Sequence, residues 1–176
     1  MVAVLCPHCG GVLEQQTTCW RCEQGHCFDV ARQGYVNLLP VQQKHSLHPG
    51  DTKEQVAARK RFLDAGHYAP IAEAVRAVLH RENAKTILDA GCGEGYYMTQ
   101  AAPQDAECWG VDISKDAVRY AAVRNKKAHW FVGTATHLPF ADSSFDCVVS
   151  MFALTAESEF RRVVSSLSCF SSNSAE

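Results

Sequence analysis

From Lys85 onward the hydrophobic pattern alternates in a way that the first half of the chain does not. Short unbroken apolar runs, TILDA, ECWGVDI, HWFVG and FDCVVSMF, are separated by longer and more mixed stretches. An apolar run of about four to eight residues suits a strand buried on both faces, as in a parallel sheet. The intervening YYMTQAA and SKDAVRYAAVRN read as helices, the second with Ser114 as its N-cap. Strand and helix alternating at this spacing predict a doubly wound α/β sheet.

Upstream, residues 37–84 read as a connector and two helices. Asp51 or Thr52 can cap a helix through KEQVAARKRFLDA, and Gly66 is placed to stop it. Pro70 suits the first turn of a second helix, IAEAVRAVLHREN, whose Ile71, Val75, Val78 and Leu79 share one face. Residues 1–36 are rich in Cys and Gly, with short β-like pieces such as HCFDVA and no helical period. Residues 165–176, SSLSCFSSNSAE, hold six serines among twelve residues and no strand or helix period.

Composition narrows the class. The chain has 176 residues, enough for one domain with a real core, or for a small module and part of a larger domain. No apolar run approaches the ~20 residues of a membrane helix, and MVAVLCPHC lacks the basic and apolar regions of a signal peptide. A cytoplasmic location is the expectation, so the nine cysteines read as metal ligands and buried apolar residues rather than disulfides. The net charge of −2 hides a local excess of three positives over residues 44–61, from Lys44, Lys53, Arg59, Lys60 and Arg61 against Asp51 and Glu54. His45 and His48 lie in the same stretch, which reads either as a solvated face or as a surface for phosphates.

Two patterns carry chemistry. In LDAGCGEGYY the strand TILDA runs into Gly91, Gly93 and Gly95, where bare backbone lets a ligand approach closely. Asp112, at the end of the next strand, stands where an acid can accept from both hydroxyls of a ribose. The competing readings are a dinucleotide loop, although Tyr96 replaces its third glycine, and a merely helix-capping Asp112. At the other end, Cys6-x2-Cys9 places two thiols on one tight turn suited to tetrahedral zinc. The second pair is Cys19-x2-Cys22 or Cys22-x3-His26, with His8 and Cys27 as spare donors.

Asp89, Gly91, Gly93, Gly95 and Asp112, followed by ATHLPFADSSFD, resemble the class I S-adenosylmethionine-dependent methyltransferases. More narrowly, CPHC, the GHCFD segment, GYVNLLP, RKRFLDAGHYAPI and LDAGCGEGYY, in this order, are similar to the bacterial 23S rRNA guanine-N1 methyltransferases. That family includes relatives of the macrolide-resistance methyltransferases, and the resemblance runs from about Cys6 to Val164. It implies Zn2+ on Cys6, Cys9, Cys22 and His26. It implies S-adenosyl-L-methionine against Tyr68, Asp89, Gly91, Gly93, Glu94, Gly95 and Asp112, with Thr134 and Ala135 near the adenine. Asp142 and Asp146 are expected to fix the turn into the fourth strand. The family's aromatic-Ala-Pro element after that strand reads Phe152, Ala153, Leu154 here, a departure on the substrate side. The general base is not identified; His137 is the one loop histidine near the fourth strand.

The implied fold is α/β: a partial class I, Rossmann-like methyltransferase sheet preceded by a small zinc-binding module. The expected boundaries are 1–36 for the zinc module, 37–84 for the basic helical connector, 85–164 for an incomplete methyltransferase domain and 165–176 for an aberrant serine-rich tail. The switch to serines reads as a frameshift or premature stop, with four strands in the order 3-2-1-4 and FDCVVSMF as an exposed edge. The implied activity is methyl transfer to N1 of a guanine in a 23S rRNA hairpin loop, with the zinc module and basic connector holding the RNA. No membrane partner is expected, and a second copy of the chain is a candidate partner. The rival functions are a non-catalytic zinc-dependent binding remnant, and a methyltransferase acting on a small molecule or protein.

Overall fold

The structure, a computed structural model, describes residues 2–40, 50–153, 155–165 and 170–173. Lys44, His45, His48 and Leu154, named above, lie outside the described residues.

Four short strands open the chain: β1 (Val4–Leu5), β2 (Val12–Gln15), β3 (Cys19–Cys22) and β4 (Cys27–Asp29). They form an antiparallel sheet in the order β1-β2-β3-β4. After β5 (Tyr35–Asn37) come α1 (Lys53–Asp64) and α2 (Ala69–Arg81). Thr52 caps α1 in a full capping box with Gln55, and Gly66 at φ 82° ends the segment. Pro70 sits in the first turn of α2, whose Ala72, Val75 and Leu79 are buried. The remaining elements are β6 (Thr86–Ala90), α3 (Tyr96–Ala101), β7 (Glu107–Asp112), α4 (Lys115–Arg124), β8 (His129–Val132), β9 (Cys147–Met151), α5 (Glu157–Val163) and β10 (Phe170–Asn173). As expected, Ser114 caps α4, its hydroxyl accepting from the Ala117 N–H.

The main sheet is parallel throughout and has six strands in the order β10-β9-β6-β7-β8-β5. Two strands therefore correct the expectation. Tyr35–Asn37 pairs with β8, and Phe170–Asn173, inside the stretch read as a structureless tail, pairs with β9. β9 is flanked on both sides, so FDCVVSMF is not an exposed edge. Three- and four-residue strands carry too little period to stand out in a sequence.

Both faces of the sheet are covered. Helical residues such as Leu79, Met98, Val118 and Ala121 form one apolar layer with Ile87, Trp130 and Val149. On the other face, Val4, Cys6, Leu13, Trp20 and Cys22 of the antiparallel sheet pack with Leu88, Trp109, Phe131, Phe140 and Phe160. Trp20 meets Phe131 edge-on at 5.6 Å between ring centres. A segment of about 35 residues is too small for a core of its own, so it borrows the core of the parallel sheet. Backbone pairing joins them as well: Leu5 N–H donates to Pro139, Ala141 N–H donates to Ala3, and Val4 bridges Phe140.

Candidate cofactor cavity and metal centre

The metal centre is built from two turns. Cys6 and Cys9 flank the turn after β1, closed by Gly10 N–H to the Cys6 carbonyl; Cys22 and His26 flank the turn between β3 and β4. One donor atom from each lies within 4.8 Å of every other. Cys9 Sγ and Cys22 Sγ are 3.7 Å apart, and His26 Nδ1 lies 3.5 Å from Cys6 Sγ and 3.4 Å from Cys22 Sγ. A tetrahedral zinc with Zn–S of ~2.3 Å and Zn–N of ~2.0 Å has S···S edges of ~3.8 Å and S···N edges of ~3.5 Å. Those three edges match the ion, and the other donor pairs lie within 4.8 Å. Burial works against the Cys22 thiolate, but the His26 backbone N–H and the neighbouring Cys9 and His26 side chains outweigh it and bring the thiol down to about 7. Cys19 stands apart, its thiol donating to Gln16 Oε1, and Cys27 is exposed.

The glycine loop lies at the C-terminal end of β6, where open parallel sheets hold ligands. Gly91, Gly93 and Gly95 all have positive φ. A Cβ on Gly91 would stand 2.2 Å from Ala153 Cβ, and a Cβ on Gly95 2.8 Å from Trp130 and 2.9 Å from Ala121. The loop is thus fixed on both sides by contacts only glycine permits. Asp112, at the end of β7, accepts from Gly93 N–H at 2.9 Å and Ser114 N–H at 2.8 Å. Each of its oxygens keeps a second acceptor position.

A cavity of about 550 Å3 opens over this loop. Of the residues expected against S-adenosylmethionine, Tyr68, Gly91, Gly93, Glu94 and Asp112 line it. Asp89 and Gly95 do not: Asp89 is 1% exposed, and Gly95 faces Trp130 and Ala121 in the core. Thr134 and His137 line a different cavity, between the antiparallel sheet and α5. Asp146 Oδ2 accepts from the Lys85 and Thr86 N–H groups, fixing the start of the fourth central strand to the first, and Asp142 pairs with Arg162.

Sequence reasoning did not place Arg59, Phe62 or Tyr97 at this cavity. Arg59, read as part of a phosphate-facing basic run, instead donates from Nε to Glu94 Oε2 at 2.9 Å and pairs with Asp51. Lys60 pairs with Asp64, and among the described residues Arg61 has no ion pair. Glu94 Oε1, Asp89 Oδ2 and the Tyr97 hydroxyl are buried without a hydrogen-bond partner. Burial, reinforced by Asp112 and Glu94, pushes Asp89 up to about 7, and burial also raises Asp112. A cavity lined by the acids Asp51, Glu94 and Asp112, with one Glu94 oxygen lacking a partner, and bordered by aromatic rings fits a ligand with both cationic and aromatic parts, as S-adenosylmethionine has.

Comparison with known proteins agrees with this geometry. Residues 4–47 match the domain family described as RlmA, N-terminal, a zinc ribbon, and residues 87–169 match a methyltransferase domain family. The chain is 38% identical over 166 residues to a 23S rRNA (guanine(748)-N(1))-methyltransferase of Streptomyces fradiae, covering 90% of this chain and 58% of that protein. It is 38% identical to a Micromonospora griseorubida protein assigned a 23S rRNA guanine-N1 methyltransferase, covering 90% of this chain and 61% of the relative. The chain thus spans about three-fifths of the length of these curated relatives. Its fold also matches a crystal structure from Methanococcus maripaludis assigned as an S-adenosyl-L-methionine-dependent methyltransferase, with a TM-score of 0.54, 22% identity and coverage of 68% and 63%. Zinc and S-adenosylmethionine are the cofactors of this architecture. Among the described residues no helix is long and apolar enough to cross a membrane.

Proposed function

The chain joins an RlmA-type zinc ribbon to a class I methyltransferase domain, and from that premise we propose that it takes part in methyl transfer to N1 of a guanine in 23S rRNA. The observation that carries the proposal is the coexistence of both parts in one packed core, alongside 38% identity to guanine-N1 methyltransferases over 90% of the chain. The zinc is held by Cys6, Cys9, Cys22 and His26, and the cofactor by Tyr68, Gly91, Gly93, Glu94 and Asp112. Asp89 and Gly95 support the loop from below.

When bound, S-adenosylmethionine supplies an electrophilic methyl group, and the protein's task is mainly alignment. Asp112 orients the loop through Gly93 N–H and keeps acceptor capacity for a diol. The acids lining the cavity are Asp51, Glu94 and Asp112, and Arg59 ties the first two together. Tyr68, at the start of α2, closes the cavity from the connector side. The RNA hairpin is held outside, by the connector and the exposed part of the ribbon, and the target base must leave its stack to reach the cavity. The units are taken as 1–36, 37–84 and 85–164, although β5 crosses the first boundary and β10 lies beyond the last, and both belong to the main sheet.

The test is calorimetry with S-adenosylmethionine on the zinc-loaded chain, followed by reverse transcription of a treated 23S rRNA hairpin. Methylation at N1 blocks Watson–Crick pairing and stops the transcriptase at the modified guanine. Cofactor binding with no stop would overturn the proposal, and RNA retention without a stop would make the chain an RNA binder instead.

A further inference from the structure

Phe152 directly follows the last residue of β9 and has a φ of 55°. A bulky residue in the left-handed region is strained, and such strain persists only where the surroundings fix it. Here Ala153 pins the turn against Gly91, whose missing Cβ leaves the space. The turn holds a large apolar ring 53% exposed at the cavity wall, a placement that burial alone would disfavour. Phe62 of α1 is 46% exposed and lines the same cavity.

These rings are continuous. Phe62 meets Tyr68 edge-on at 5.2 Å, Tyr68 lies 5.6 Å from Phe152, and Phe152 lies 6.3 Å from Tyr97. The Tyr97 hydroxyl at the end of this run is buried without a partner. Centroid spacings of 5–6 Å leave no room for a third ring between neighbours, so a flat ligand would lie on the outer faces, and on Phe62 on the face away from His67, which stacks against it at 4.6 Å.

We propose that Phe152, Tyr68 and Phe62 form the stacking wall for the extruded nucleobase, with the Tyr97 hydroxyl bonding to its edge. The inference rests on the RNA methyltransferase reading above and adds the residues that receive the base. An aliphatic or peptide substrate would need no run of exposed rings. A base needs π-faces and one polar contact, and both line the cofactor cavity.

The probe is a 23S rRNA hairpin with 2-aminopurine in place of the guanine corresponding to position 748 of the relative's name, titrated into the zinc-loaded chain with saturating S-adenosylhomocysteine. Stacking on aromatic rings quenches 2-aminopurine, so the wild type is expected to bind with a dim probe. Phe152→Leu and Phe62→Leu should each weaken hairpin binding by about fivefold to a hundredfold, the span of base–aromatic stacking, and brighten the bound probe. Phe152→Trp should restore both. Wild-type binding with the same affinity and brightness in both leucine variants would overturn the stacking wall while leaving the RNA reading intact. Failure of the wild type to bind the hairpin would overturn the RNA reading, and the wall with it.

Discussion

Arg59 on α1 and Glu94 in the glycine loop form an ion pair, Nε to Oε2 at 2.9 Å, in which the arginine is 41% exposed and the glutamate 1%. The same guanidinium reaches Asp51, so one side chain clasps the connector to the floor of the cofactor cavity. Gly93 makes room for it: a Cβ there would stand 3.3 Å from Arg59 Nη2.

Removing Arg59 strands a buried carboxylate. Arg59→Ala should lower stability by about 1–3 kcal/mol, the cost of an unsatisfied buried polar group, with Arg59's own exposure keeping the figure below that of a fully buried pair. Glu94→Gln should cost less, because no buried charge is left alone. Urea denaturation compares the two. Equal effects would show that the loss is that of the ion pair itself, with no added cost from a stranded charge.

The ribbon shares its core with the parallel sheet, so zinc should stabilise the whole chain. Chelation should lower the melting temperature of the single transition, not release an isolated ribbon. A loss of even about 5 kcal/mol is a drop of about 10–20 °C at this chain length. Cys22→Ser should abolish stoichiometric zinc measured by mass spectrometry, and Cys19→Ser should retain it. Zinc loss from Cys19→Ser would move the ligand set to the other spacing.

Asp89 gives a pH dependence of defined sign. Its folded-state value, pushed up to about 7 by burial with Asp112 and Glu94 nearby, lies above the ordinary 3.8. The folded state therefore holds the proton more tightly, and its contribution is present at low pH and lost as pH rises from about 4 to about 7. Asp112, also raised, acts in the same direction, while His129, lowered by burial, acts in the opposite one. Asp89→Asn should thus gain stability relative to wild type across that window and stay level above it. Melting curves from about pH 4.5 to 8 test this, and a constant offset between the two proteins would sink it.

Gly110 is a strand glycine required by space. A Cβ there would lie 2.3 Å and 2.4 Å from Trp130 ring atoms, and Trp130 cannot swing away because its Nε1 donates to the Asn125 carbonyl at 2.7 Å. Gly110→Ala should cost about 1–3 kcal/mol by overpacking, with altered tryptophan fluorescence. Unchanged stability would mean that the ring relocates freely.

Much of the architecture was legible because its causes are local. Ser114 and Thr52 cap helices through bonds within four residues, and the apolar runs of β6 to β9 need no partner to declare themselves. The position of β5 was not legible, since three residues gain their role only from β8, 95 positions away. Nor was that of Arg59. In sequence it is one of a basic triplet, and only the fold brings Glu94 beneath it. The four candidate metal donors needed both levels: spacing offered Cys19 and His26 as rivals, and the turn after β3 brings His26 to face Cys6.

That fold also reassigns the basic run. Arg59 is committed to Asp51 and Glu94, and Lys60 pairs with Asp64, so Arg61 is the member of the triplet left for phosphate. A phosphate contact releases about one counterion, which steepens the salt dependence of binding by about one unit of slope. Arg61→Ala should weaken hairpin binding uniformly across loop sequences and reduce the slope of log K against log salt by about one. Lys60→Ala should change the slope less, since that ammonium is already partly neutralised by Asp64. Filter binding between about 50 and 200 mM salt measures both. An unchanged slope in Arg61→Ala would place the RNA track elsewhere, with the exposed side of the ribbon as the next surface to neutralise.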